Sequence, residues 1–135
     1  MKARILAAAL VATPLMSGLA MAQDQAAPAA PQMSMEDAYA AAQNQLGVLE
    51  YCQTVGKVDN SVIETQNRLL GLIPAPDDTA PAMEAYSKGK DGTVSSMGQE
   101  VTLAEVAESR STSEAELCSQ MAQLVAQAGS QIPQG

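Results

Sequence analysis

Histidine, tryptophan and phenylalanine are absent from the 135 residues, and Tyr39, Tyr51 and Tyr86 are the only aromatic side chains. Without histidine there is no Ser-His-acid or Cys-His pair and no imidazole ligand for zinc, so a reaction would have to rest on carboxylates, Ser, Lys or Tyr. Without large rings the core must be built from Ala, Leu, Val, Ile and Met. Most of these favour helix over sheet, which predicts an all-α fold. Cations are scarce as well: seven Lys and Arg stand against 15 Asp and Glu, for a formal charge of −8. Such a surface repels nucleic acid and anionic headgroups, which excludes the first as a partner and disfavours a membrane surface, where interfacial helices carry Lys and Arg.

What is present at the N-terminus is an export pattern. Lys2 and Arg4 precede an apolar run from Ile5 to Ala12, then Pro14, then Ala20-Met21-Ala22. This order of basic residues, short apolar stretch and A-x-A site is that of a secretory signal peptide over residues 1–22, cut between Ala22 and Gln23. The apolar run is well short of the roughly 20 residues that a spanning helix needs. Cleavage would also remove Lys2 and Arg4 and leave the chain more acidic still. The expected location is the periplasm or the extracellular space.

Two cysteines, Cys52 and Cys118, follow the expected cleavage point, an even number in an exported chain. They read as one structural disulfide. A redox pair would need C-x-x-C spacing, and a thiolate metal site would need further ligands. No cofactor or metal is expected.

Residues 23–33 (QDQAAPAAPQM) are rich in Ala, Pro and Gln and read as a disordered linker. The helical domain is expected over 34–129 and a flexible tail over 130–135. Ser34 opens the first helix with a capping-box pattern, Cys52 falls on its apolar stripe, and Gly56 offers a stop. A second helix starts at Asp59 to Ser61, with Ser61 and Glu64 as another box, and Pro74 ends it after Ile73. The short connection favours an antiparallel pair with the first helix. A short helix is expected within Ala82–Met97, weakened by Gly89 and Gly92. Thr102 with Glu105 opens a short helix through Ser109, and Ser113 with Glu116 opens the last one, which carries Cys118 and runs to Gly129. The expected architecture is a bundle of four or five helices in which the disulfide joins the first to the last.

Several patterns resemble known chemistry without completing it. Asp77-Asp78 and the late acids Glu105, Glu108, Glu114 and Glu116 lack EF-hand spacing and read as caps, turns and solvated surface. Leu103 to Ser113 followed by a helix has the cadence of a helix-turn-helix, yet that helix offers Glu114, Glu116, Gln120 and Gln123, not cations. Met33, Met35, Met83, Met97 and Met121 are too scattered for a copper site and read as core filling. Lys88 to Thr93 (KGKDGT) lacks the order of a phosphate loop and reads as a turn or loose helix.

Three segments, Gln45-Leu46-Gly47-Val48-Leu49-Glu50-Tyr51-Cys52, Gly89-Lys90-Asp91-Gly92-Thr93-Val94-Ser95-Ser96-Met97-Gly98 and Leu117-Cys118-Ser119-Gln120-Met121, resemble small exported helical proteins of Gram-negative bacteria known as pore-forming proteins of the early secretory antigenic target (ESAT) type. The antigenic-target family proper is a signal-less helical hairpin with a W-x-G turn, and this chain has no tryptophan. The resemblance therefore implies a helical, disulfide-linked exported protein more firmly than it implies a pore. The expected function is that of a non-enzymatic exported protein acting through contacts with another envelope protein or with itself. A pore-forming or membrane-interacting protein and an acid-stress periplasmic chaperone are the alternatives.

Overall fold

A computed structural model describes residues 32–55 and 57–133. The signal peptide with its Ala22–Gln23 cleavage point, all but the end of the linker, the Gly56 stop and the last two residues of the tail lie outside the described residues. In chain order the elements are α1 (Met35–Thr54), α2 (Asn60–Leu70), α3 (Ala80–Lys90), β1 (Thr93–Ser96), β2 (Gln99–Thr102), α4 (Leu103–Ser109) and α5 (Glu114–Ser130).

The fold is mostly helical, with one two-stranded antiparallel sheet, and so departs from the expected all-α class. The helix sought within Ala82–Met97 stops at Lys90, where Asp91 and Gly92 turn the chain and Gly92 takes a positive φ of 82°. Beyond it Thr93 pairs with Thr102 and Val94 with Val101. These β-branched residues suit a pleated surface better than a helix. Met97 and Gly98 alone join the strands, with φ of 52° and 75°, the left-handed pair that a two-residue hairpin turn requires.

Side-chain caps fix three helix starts. Ser34 Oγ accepts from Asp37 N at 3.0 Å, and Ser113 Oγ accepts from Glu116 N at 3.1 Å. Thr102 and Glu105 form a full capping box, in which each side chain accepts from the other residue's backbone N–H. The box expected from Ser61 and Glu64 does not form. Helix α2 begins at Asn60 behind Asp59, within the expected Asp59 to Ser61, so that Ser61 lies inside the helix and offers its carbonyl to the Thr65 hydroxyl at 2.8 Å. It also ends at Leu70, before Ile73, through tight turns in which Leu72 N donates to Leu69 O and Ile73 N to Leu70 O.

Helices α1 and α5 are joined by the Cys52–Cys118 disulfide, with a Cα–Cα distance of 5.5 Å and both residues fully buried. Around it lie Val48, Leu49, Val58, Leu103, Ala107, Leu117 and Val125. The broadest packing of α1 is on α3, while α2 rests on both α1 and α5. The α1–α3 contact depends on two glycines. A Cβ on Gly47 would lie 2.2 Å from Tyr86 O, and one on Gly89 would lie 2.3 Å from Asn44 O. Gly89, which sequence propensity reads as a weak point, is thus where the helices touch backbone to backbone. Gly129 is likewise no stop: α5 continues to Ser130, and a Cβ there would meet Thr65 Cγ2 at 2.3 Å.

Candidate functional site

The hairpin is pinned to α1 and α3. Asn44, 2% exposed on α1, donates from Nδ2 to Ala85 O at 2.8 Å and Thr93 O at 2.9 Å, and its Oδ1 accepts from Ser95 N at 2.9 Å. One amide thereby takes the place of a third strand along the outer edge of β1 and ties it to α1 and α3. Leu103 N donates to Gly92 O at 2.9 Å, and Lys88 on α3 pairs with both Glu84, at 3.0 Å, and Glu100 of β2. Directly opposed residues share a sheet face, so Val94 and Val101 point the same way.

Between that face and α5 runs a groove of about 500 Å³, within the range of ligand-holding clefts. Leu117, Met121 and Leu124, spaced four and three apart on one side of α5, form the far wall. Val48 and Leu103 lie deep in it, and Val106 on α4 with Arg110 at that helix's C-terminal cap line one side. Its polar atoms come from Asn44, Gln45, Ser95, Ser96, Gln120 and Arg110. Among the described residues no carboxylate lines the groove, although the chain carries 15 acids.

Arg110 is the groove's one cation, and among the described residues it enters no ion pair. It caps the C-terminal end of α4, which closes in a Schellman arrangement: Thr112 N donates to Ala107 O at 2.9 Å and Ser111 N to Glu108 O at 3.1 Å, with Ser111 at φ 52°. Two neighbouring acids are engaged elsewhere. Glu105 accepts from the backbone N–H and hydroxyl of Thr102, bonds that hold its carboxyl below the ordinary glutamate range. Glu114 accepts from the Tyr51 hydroxyl at 3.1 Å, and burial, then this bond, pushes the tyrosine up.

The mouth of the groove is apolar and exposed. Val101 and Leu124 line it while remaining 38% and 63% accessible. Met97, 57% accessible, shares a hollow of about 400 Å³ with Val101 and a smaller one of about 110 Å³ with Met33. Met33, Met97, Val101 and Leu124 are thus linked through shared hollows, an exposed apolar strip that runs over the hairpin tip and across the mouth of the groove. Met97 holds this place in a backbone conformation that disfavours a long side chain.

The residues singled out in the sequence are dispersed. Asp78, just before the Thr79 cap position of α3, accepts from Ala80 N at 2.9 Å, and Asp77 lies beside it in the exposed loop. Among the described residues no three Cys, Asp or Glu side chains gather as metal ligands, and no helix is long and apolar enough to cross a membrane. Of the segment read as a turn or loose helix, Lys88 to Lys90 end α3, Asp91 and Gly92 form the turn, and Thr93 begins β1. The methionines are not core filling: Met33, Met35, Met83 and Met97 are exposed, and Met121 alone packs against the core. Sequence reasoning gave Arg110, Val94 and Val101 no role in a site. Thr and Val facing each other across Met97-Gly98 were the available sign of a hairpin. No family model, curated protein or solved structure matches this chain.

Proposed function

We propose that this is an exported, non-enzymatic protein of the periplasm or extracellular space that acts by contact with another envelope protein, through the strip formed by Met33, Met97, Val101 and Leu124. The observation that carries the reading is that strip, apolar and exposed on a strongly acidic chain. Isolated exposed apolar residues need no explanation, but a set gathered around the mouth of a cleft marks contact surfaces. Methionine adapts its shape to a partner at little cost. Met97 adds to this, because an ordinary hairpin would carry Asn there. The strained turn keeps a thioether at the tip of the hairpin, where it does nothing for the core.

The test uses that strain. In cells exporting the full chain, crosslinking should join the mature protein to a second polypeptide, and Met97→Asn and Leu124→Gln should each abolish the adduct. Because Met97→Asn relieves backbone strain, loss of the adduct would not come from unfolding. An adduct that both variants leave intact, or no adduct at all, would overturn the reading. Dye release from liposomes by the purified protein would favour pore formation instead. Intact mass of the exported protein, matching a chain that starts at Gln23, checks the cleavage point.

A further inference from the structure

The groove beneath the strip has a chemistry that protein contact along the rim does not use. Its walls are aliphatic, its volume of about 500 Å³ suits a flexible chain, and among the described residues its lining holds one guanidinium and no carboxylate. Such segregation is informative on a chain where acids outnumber bases by 15 to seven. A cationic or zwitterionic ligand would find no carboxylate in the lining to pair with. A wholly apolar one would leave Arg110, Gln45 and Gln120 without a role. A ligand with an aliphatic chain and a terminal carboxylate satisfies both parts of the site.

We infer that the groove between the hairpin and α5 is a binding site for a long-chain carboxylate, its aliphatic part between Val94, Val101, Leu117 and Met121 and its carboxylate on Arg110. This goes beyond the protein-contact reading and does not rest on it. Arg110 is suited to the task because a guanidinium grips a carboxylate with two parallel N–H bonds, and because it is exposed and takes part in none of the ion pairs among the described residues. Aliphatic burial sets the affinity and the guanidinium sets the direction in which the chain enters.

The experiment titrates the oxidised mature protein with saturated carboxylates of roughly ten to sixteen carbons, kept below micelle formation, following amide shifts by NMR. Shifts should map to Val94, Val101, Val106 and Met121 and saturate at one ligand per chain. Binding should tighten on the order of tenfold for each two carbons added, until the groove is filled. Arg110→Gln, an exposed substitution that leaves the core untouched, should weaken the carboxylates about tenfold and the matching long-chain alcohol hardly at all. The inference is overturned if a trimethylammonium amphiphile of equal length binds as well, if Arg110→Gln changes nothing, or if the shifts map elsewhere. It is equally overturned if an acidic apolar peptide, and not the carboxylate series, perturbs the groove. Met97→Asn should leave carboxylate binding intact, so the groove and the contact strip fail separately.

Discussion

Two residues show opposite relations between local strain and burial. Met97 occupies a left-handed conformation that costs an L-residue with a long side chain on the order of 1 kcal/mol, and it returns no core packing. Met97→Asn places the residue that such turns prefer and should raise the unfolding free energy by about 1 kcal/mol, read as a higher urea midpoint with unchanged slope. No gain would mean that the turn is not under strain. Asn44 is the converse, a buried polar group whose three hydrogen bonds are all made inside the protein. Asn44→Ala would leave Ser95 N, Thr93 O and Ala85 O without their partner and open a small cavity. The expected loss is about 3 kcal/mol, with the hairpin amides exchanging first in hydrogen-exchange measurements. Uniform exchange in the variant would show that Asn44 does not hold the sheet in place.

At the scale of elements, the capping box of α4 links sequence, stability and pH. Thr102→Ala removes a side-chain cap and should cost about 1 kcal/mol at neutral pH. The Glu105 carboxyl is held below its ordinary value of 4.5 by the Thr102 backbone N–H, then by its hydroxyl, and Glu100 is held below the same value chiefly by its bond from Lys88. A depressed folded value means that the unfolded chain takes up protons first. These contributions are therefore complete above pH 4.5 and are lost as the pH falls through the lower folded values. Stability against urea should be level near neutrality and decline below about pH 4.5, and Glu105→Gln should make that decline shallower. An unchanged acid limb in Glu105→Gln would remove the box from the account. This box was also the most legible feature of the sequence, since Thr and Glu three apart before an apolar pattern state the cap locally. Ser34 and Ser113 were read for the same reason. The hairpin was not, because its strands are only four residues long and Met-Gly gives a weaker turn signal than Asn-Gly. Gly89 and Gly129 were misread because propensity treats glycine as a cost or a stop, while the fold uses Gly89 to bring two backbones together and Gly129 to admit the Thr65 methyl. The groove was hidden for a third reason: Val94, Arg110 and Met121 line one groove only after the chain has folded.

For the molecule as a whole, the Cys52–Cys118 bond ties α1 to α5 across a separation of 66 residues. Chain entropy gives a loop of that size roughly 4 kcal/mol, a large part of the roughly 5 to 15 kcal/mol by which a domain is stable. The bond also lies in the centre of the core, with both cysteines at 0% exposure beside Leu49 and Val125, so a reductant reaches it only after the helices part. Two consequences follow, one at equilibrium and one in time. Replacing both cysteines with alanine should lower the unfolding free energy by about 4 kcal/mol or more, since the vacated sulfur volume adds to the lost constraint. Dithiothreitol on the native protein should reduce the bond at a rate that becomes independent of thiol concentration and rises with urea, because opening, not thiol attack, limits it. Rapid reduction proportional to thiol concentration in the absence of urea would mean that the sulfurs are within reach in the folded state. The bond would then be open to exchange, and its role would extend beyond holding the first helix to the last.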